Sequence, residues 1–180
     1  ARSRLKHRDV SGTAGRFRLL YFWGRYFWAL ALAISIVNAA TTWVRSRADV
    51  SRDPELGPGY TKLVIGILTW ANIPWLVMGY GVMVGGVPSI WYYFRPQDRD
   101  PYVLAWFASI FLLWMLGTVW IYAWGGADML ARHTAGFRGR AMVSSAKSIK
   151  AVWALSLAGG VAGFVFMLLM DVPLESLSLR

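Results

Sequence analysis

The sequence contains no cysteine, two histidines and nine acidic residues among 180 positions. The missing cysteine excludes disulfides, thiolate metal sites and cysteine nucleophiles, and leaves the redox compartment unread. The scarce acids are more telling for where they fall. Asp9, Asp49, Asp53, Glu55, Asp98, Asp100, Asp128, Asp171 and Glu175 all lie outside the long apolar runs. Ion pumps and proton-coupled transporters usually keep an ionisable group at membrane depth, and none is present here. No lysine sits mid-run either, which removes a retinal Schiff base. With only His7 and His133, haem or chlorophyll ligation by histidines on paired membrane helices cannot be assembled. Paired acids, a metal cluster and a nucleophile–base set are all missing, so an enzyme is not expected, and no catalytic or metal-binding residue is assigned. No cofactor is legible.

Charge as a whole is sparse, at 16% of residues against 57% hydrophobic, where a soluble domain averages about 25% charged. The charges gather in short blocks between long apolar stretches, which is the pattern of a membrane protein. The net charge of +10 comes mainly from 15 arginines. They border the apolar runs instead of lining a polar face, and no nucleic-acid motif accompanies them. They are therefore read as contacts to anionic lipid headgroups, with no nucleic-acid partner.

Four apolar runs define an all-α, polytopic helical bundle. The first, Tyr26–Val44, has 19 uncharged residues, roughly 29 Å as a helix against a hydrocarbon core of about 30 Å. Tyr21, Trp23, Tyr26, Trp28 and Trp43 cluster toward its ends like interfacial belts. It is long for a signal-peptide core and lacks a cleavage context, so a retained helix is expected. The start at Ala1 is expected to follow removal of an initiator methionine. Residues 45–62 are expected to be a polar loop, turned at Asp53-Pro54 and Gly57-Pro58-Gly59.

The second run, Leu63–Phe94, is 32 residues without a formal charge. One straight helix of that length would measure about 48 Å, too long for a perpendicular crossing. Pro74 and the glycines 79, 81, 85 and 86 with Pro88 are the weak points. The simplest reading spans 63–86 and turns at Gly86-Val87-Pro88 into an interfacial Trp91-Tyr92-Tyr93-Phe94. The other reading is a re-entrant hairpin. The third run covers 102–127 and the fourth 151–170. Residues 1–25 form a basic cytoplasmic or interfacial arm, 26–170 the bundle and 171–180 a short tail.

The positive-inside count does not resolve orientation. Four crossings put ten Lys and Arg on one side and nine on the other, whereas a hairpin gives twelve against seven. The rule thus leans to the hairpin, run length to a crossing, and four crossings are expected with a cytoplasmic N-terminus.

Within the runs the polar groups are Ser35, Asn38, Asn72, Ser109, Thr118 and Ser156, expected to hydrogen-bond across helices. Gly81-xxx-Gly85 and Gly159-xxx-Gly163, with Ala31, Ser35 and Ala39 on the first run, form small-residue ridges for close helix packing. Arg16, Arg18 and Arg25 are candidates for lipid headgroups, Arg25 by snorkelling. Asp128-Met-Leu-Ala-Arg132 resembles part of a carboxylate motif of lipid-head transferases, but the further aspartates those enzymes need are missing. A local i, i+4 ion pair is expected there instead. Trp70, Trp75 and Trp114 lie well inside runs, where ordinary packing is expected.

From this the chain is expected to be a non-catalytic accessory subunit of a larger bacterial inner-membrane complex, such as an electron-transfer or photosynthetic assembly. It would bind membrane lipids and neighbouring transmembrane subunits. The alternative is a small oligomeric transporter or channel, its pore lined by Asn, Ser, Thr and glycine backbone around residues 79–86.

Overall fold

A computed structural model describes residues 10–134 and 145–169, with side chains from Phe22 onward. Every regular element among these residues is helical. Helix α1 runs Val10–Arg52, α2 Gly57–Leu68, α3 Ile73–Met83, α4 Pro101–Ala123, α5 Gly126–Arg132 and α6 Ala146–Leu169. Four helical stretches are long and apolar enough to cross a membrane: Phe22–Arg52, Pro54–Met83, Pro101–Ala123 and Ala146–Leu169. In hydrocarbon each amide must find its partner inside its own segment, which is why these runs coil.

The expected loop at 45–62 is largely helix. Helix α1 continues through Arg45, Arg47 and Arg52 past the apolar run, and α2 begins at Gly57. The reversal is confined to 53–56, where the Asp53 carboxylate accepts from the Glu55 amide at 3.1 Å. Gly57-Pro58-Gly59 marks a helix start, not a second turn. Proline is tolerated in a first helical turn because its missing N–H needs no partner there.

From this reversal α2 and α3 run back along α1. Gly57 lies beside Val50, the Ser35 hydroxyl donates to the Ile67 carbonyl at 3.2 Å, and Trp28 covers Gly79. Gly24, near the far end, sits under Trp91. The second run therefore traverses the same thickness as α1 and does not double back within it.

Residues 84–100 then fold over that end of the molecule. Gly86 adopts φ +76°, a left-handed backbone that suits glycine, and short 3-10 turns follow at Ile90–Phe94 and Pro96–Asp98. The expected interfacial aromatics include one that is a core residue. Tyr93 is 1% exposed and donates its hydroxyl to the Met78 carbonyl at 3.1 Å. It joins Met78, Val82, Val87, Val103 and Phe107 in the larger of two buried clusters.

Helix α4 starts at a clear cap. The Asp100 carboxylate accepts from the amides of Tyr102 at 2.8 Å and Val103 at 3.2 Å, with Pro101 in the first turn. A negative group there also complements the helix dipole. The expected third helix to residue 127 is divided at Gly125, φ +73°, into α4 and the short α5. Asp128 and Arg132 on α5 are both exposed and do not pair, whereas Arg95 pairs with Asp98 in the connector at 3.2 Å.

Helix α6 returns antiparallel to α4. The Tyr122 hydroxyl donates to the Lys150 carbonyl at 2.8 Å, and the Trp153 indole N–H donates to the Thr118 hydroxyl at 3.0 Å. Further along, Phe164 meets Phe107 and Phe111 with ring centroids 4.9 and 5.1 Å apart. The chain thus passes up, down, up and down. Helix α1 packs on α2 and α3, α3 on α4, and α4 on α6, while α1 and α6 share no interface of similar extent.

Candidate functional site

Small residues bring α1 against α2 and α3. Ser35, Ala39, Thr42 and Ser46 fall at helical spacing on one face of α1 and are all buried. Ala31, one turn before Ser35, is half-buried. Short side chains let the backbones approach closely, so the Ser35 hydroxyl reaches a main-chain carbonyl of the neighbouring helix.

That carbonyl belongs to a break near the middle of the second crossing. Between α2 and α3 the chain makes one 3-10 turn, Trp70–Asn72. Pro74 cannot donate to the carbonyl four residues before it, so the α-helical ladder cannot run unbroken. Asn72 repairs the gap, its amide nitrogen donating to the Leu68 carbonyl at 2.9 Å and the Ile67 carbonyl at 3.3 Å. Its side-chain oxygen is left buried without a partner. The glycine-rich segment expected to break is instead regular helix through Gly79 and Gly81, and α3 ends at Met83.

Gly81 and Gly85 face aromatic rings of this same chain. A Cβ on Gly81 would meet the Tyr93 hydroxyl and Tyr102, and one on Gly85 would lie 2.5 Å from the Tyr102 ring. Gly159 and Gly163 differ, since among the described residues nothing lies within 4 Å of the position a Cβ would take on either. The glycine that packs on α6 is Gly160, under the Trp114 ring. Among 24 residues α6 buries only Ile149.

The polar groups within the spans divide in the same way. Thr118 and Ser109 donate to carbonyls on their own helix, at 2.7 and 2.6 Å, and Ser156 does so at 2.8 Å. Asn38 is exposed at the centre of the Phe22–Arg52 span and makes no side-chain hydrogen bond among the described residues. Of the interior tryptophans, Trp70 is 57% exposed, Trp75 packs edge-on to Phe27, and Trp114 packs on Phe111.

At the opposite end from the connector, α5 is tied to the start of α2. His133 is 6% exposed, its Nδ1 bonded to the Met129 carbonyl at 2.6 Å, and its ring meets Tyr60 edge-on. Because a carbonyl can only accept, Nδ1 carries the proton. The ring seats directly over Gly59, where any Cβ would collide with it. Tyr60 in turn donates to the Asp49 carboxylate at 2.7 Å. The structure thus buries His133 between the end of α5 and the start of α2. The signal available beforehand was Gly59, a small residue at a helix start that gives a ring room to approach.

Tyr93, in the connector outside the spans, holds its proton more tightly than an ordinary phenol. Burial first, and the neighbouring negative Asp100 second, push its pKa up to about 12. Among the described residues no three histidine or acidic side chains gather to hold a metal ion. Arg25 is half-buried near the connector end of α1. The side chains of Arg16 and Arg18 lie outside the described residues, as do His7, Asp171 and Glu175.

These features define the class: an all-α, multi-pass integral membrane protein with four spanning helices. Set against family models, curated proteins and solved structures, the chain matches none.

Proposed function

We propose that the chain is a non-catalytic accessory subunit of a larger bacterial membrane assembly, such as an electron-transfer or photosynthetic complex, and that it binds lipids and neighbouring transmembrane helices. The observation that carries this reading is Asn38. An amide turned outward at mid-membrane has four hydrogen-bonding sites and only hydrocarbon to meet them. A polar group on a neighbouring subunit's helix would satisfy it. The open Gly159 and Gly163 face of α6 supports the same reading, because close helix approach is what such a face allows.

Extraction in mild detergent, followed by affinity capture, mass spectrometry and an absorption spectrum, tests it. Stoichiometric membrane partners are expected with the native chain, and Asn38→Leu should lose them while keeping its own fold. A chain that purifies alone and monodisperse would overturn the reading.

A small oligomeric transporter is the second reading, favoured by the broken second crossing, where Asn72 keeps a buried, unpartnered oxygen at mid-span. Solute flux in proteoliposomes that falls in Asn72→Leu would support it, and no flux under any gradient would remove it. The bacterial cytoplasmic membrane and a cytoplasmic N-terminus complete the proposal, supported by the seven basic residues up to Arg25. Reporter fusions at each terminus test that orientation.

A further inference from the structure

The reversal between α1 and α2 leaves a groove of about 370 Å³ where the helices emerge from the apolar region. Trp43, Ser46, Arg47, Val50 and Ser51 of α1 form one wall, and Gly57, Tyr60 and Thr61 of α2 the other. Trp43 stands at the last turn of the apolar run, and Arg47 follows one turn further out on the same face. The groove therefore joins a hydrocarbon-level end to a headgroup-level end, the gradient along which a phospholipid lies.

The hydrogen-bonding capacity of its walls narrows the ligand. Arg47, exposed, is the lining cation and a strong donor to phosphate. The hydroxyls have committed their protons elsewhere. Ser46 donates to the Trp43 carbonyl, Ser51 to the Ala48 carbonyl and Thr61 to the Gly57 carbonyl, at 2.8, 2.9 and 3.1 Å. Each keeps oxygen lone pairs that can only accept, so a headgroup that donates hydrogen bonds fits and a bare anion does not. Around the rim Arg45, Arg52 and Lys62 are exposed cations. Of the three nearby acids, Asp49 already accepts from Tyr60, Asp53 accepts from the Glu55 amide, and Glu55 is exposed on the turn.

We infer that this groove binds one anionic phospholipid with a hydroxyl-bearing headgroup, phosphatidylglycerol being the simplest, its phosphate on Arg47 and its headgroup hydroxyls on Ser51 and Thr61. The site goes beyond the subunit reading and stands whether or not the chain has protein partners.

The test uses the full chain in detergent micelles holding equal phosphatidylglycerol and phosphatidylcholine, with retained lipid counted by native mass spectrometry. One phosphatidylglycerol is expected per chain, preferred over phosphatidylcholine by roughly tenfold: both carry a phosphate for Arg47, but only phosphatidylglycerol has hydroxyls to donate to Ser51 and Thr61, on the scale of two ordinary hydrogen bonds. Arg47→Gln should reduce that retention to a similar degree, while Arg132→Gln, on α5, leaves it unchanged. A large excess of inorganic phosphate should not displace the lipid. Equal retention of the two lipids, an Arg47→Gln chain that retains lipid like the native one, or displacement by phosphate alone would each overturn the assignment. Co-purification of partners is unaffected in every case, so this result and that of the subunit test are separable.

Discussion

The two sides of the molecule use the same residue types to different ends. Against α2 and α3, α1 presents buried Ser35, Ala39, Thr42 and Ser46, and each small residue has a neighbour from this chain against it. On α6 the small residues mostly look outward, with Gly159 and Gly163 bare and a single buried position in the helix. A small-residue ridge in lipid is therefore a statement about approach distance, not about where the partner comes from. In the first half the partner is internal. In the second, Gly160 of α6 under Trp114 and Gly117 of α4 under Trp153 make such contacts between α4 and α6.

The comparison is broken most sharply by a matched pair of glycine substitutions. Gly79→Leu forces a side chain into the Trp28 ring, whose Cε3 atom lies 2.7 Å from the Cβ position. A loss of about 1–3 kcal/mol is expected from such overpacking. Gly163→Leu on the open face should leave the isolated chain as stable as before, or slightly more stable through better helix propensity. Thermal unfolding of both variants in detergent measures this. Equal destabilisation would show that α6 is packed internally after all.

Tyr93 sharpens the account of the connector end. Tyr93→Phe removes the bond to the Met78 carbonyl and should cost about 1 kcal/mol at neutral pH. The alkaline limb is more specific. An unfolded phenol releases its proton near pH 10, whereas the folded one keeps it to about 12. The folded state thus binds the extra proton, and stability present below pH 10 is lost as pH climbs to about 12. A denaturation profile between pH 9 and about 12.5 should show this decline in the native chain and a weaker one in Tyr93→Phe.

Ser35→Ala carries the smallest expected effect, near the ~0.6 kcal/mol average for hydrogen bonds between membrane helices. The Ile67 carbonyl retains the Asn72 amide when the serine hydroxyl is removed. Unfolding of Ser35→Ala beside Asn72→Ala tests this ranking, with the asparagine change expected to cost more because it strips two carbonyls of their cap.

Hydropathy made the four spans legible because lipid imposes one rule on every amide within them. The packing was harder to read. Asp53-Pro54 was recognisable as a turn, but Gly57-Pro58-Gly59 was not recognisable as a helix start, since the same residues favour both and only the neighbouring geometry decides. Pro74 was one of several candidate break points, since the glycines after it carry the same local signal and Asn72 carries none. Those glycines are required by Trp28, Tyr93 and Tyr102, rings distant in sequence whose approach no local pattern announces. The burial of His133 has no local signature for the same reason, because its partner Gly59 is 74 positions away in the chain.

The four crossings are tested most directly by the residue type the chain lacks. With no native cysteine, single substitutions Ser51→Cys, Gln97→Cys and Lys147→Cys can be labelled with a membrane-impermeant maleimide from either side of sealed vesicles. Positions 51 and 147 are expected to label from one face and position 97 from the other. Labelling of position 97 from the same face as 51 would contradict the account, since residues 57–83 would then return to the side they left.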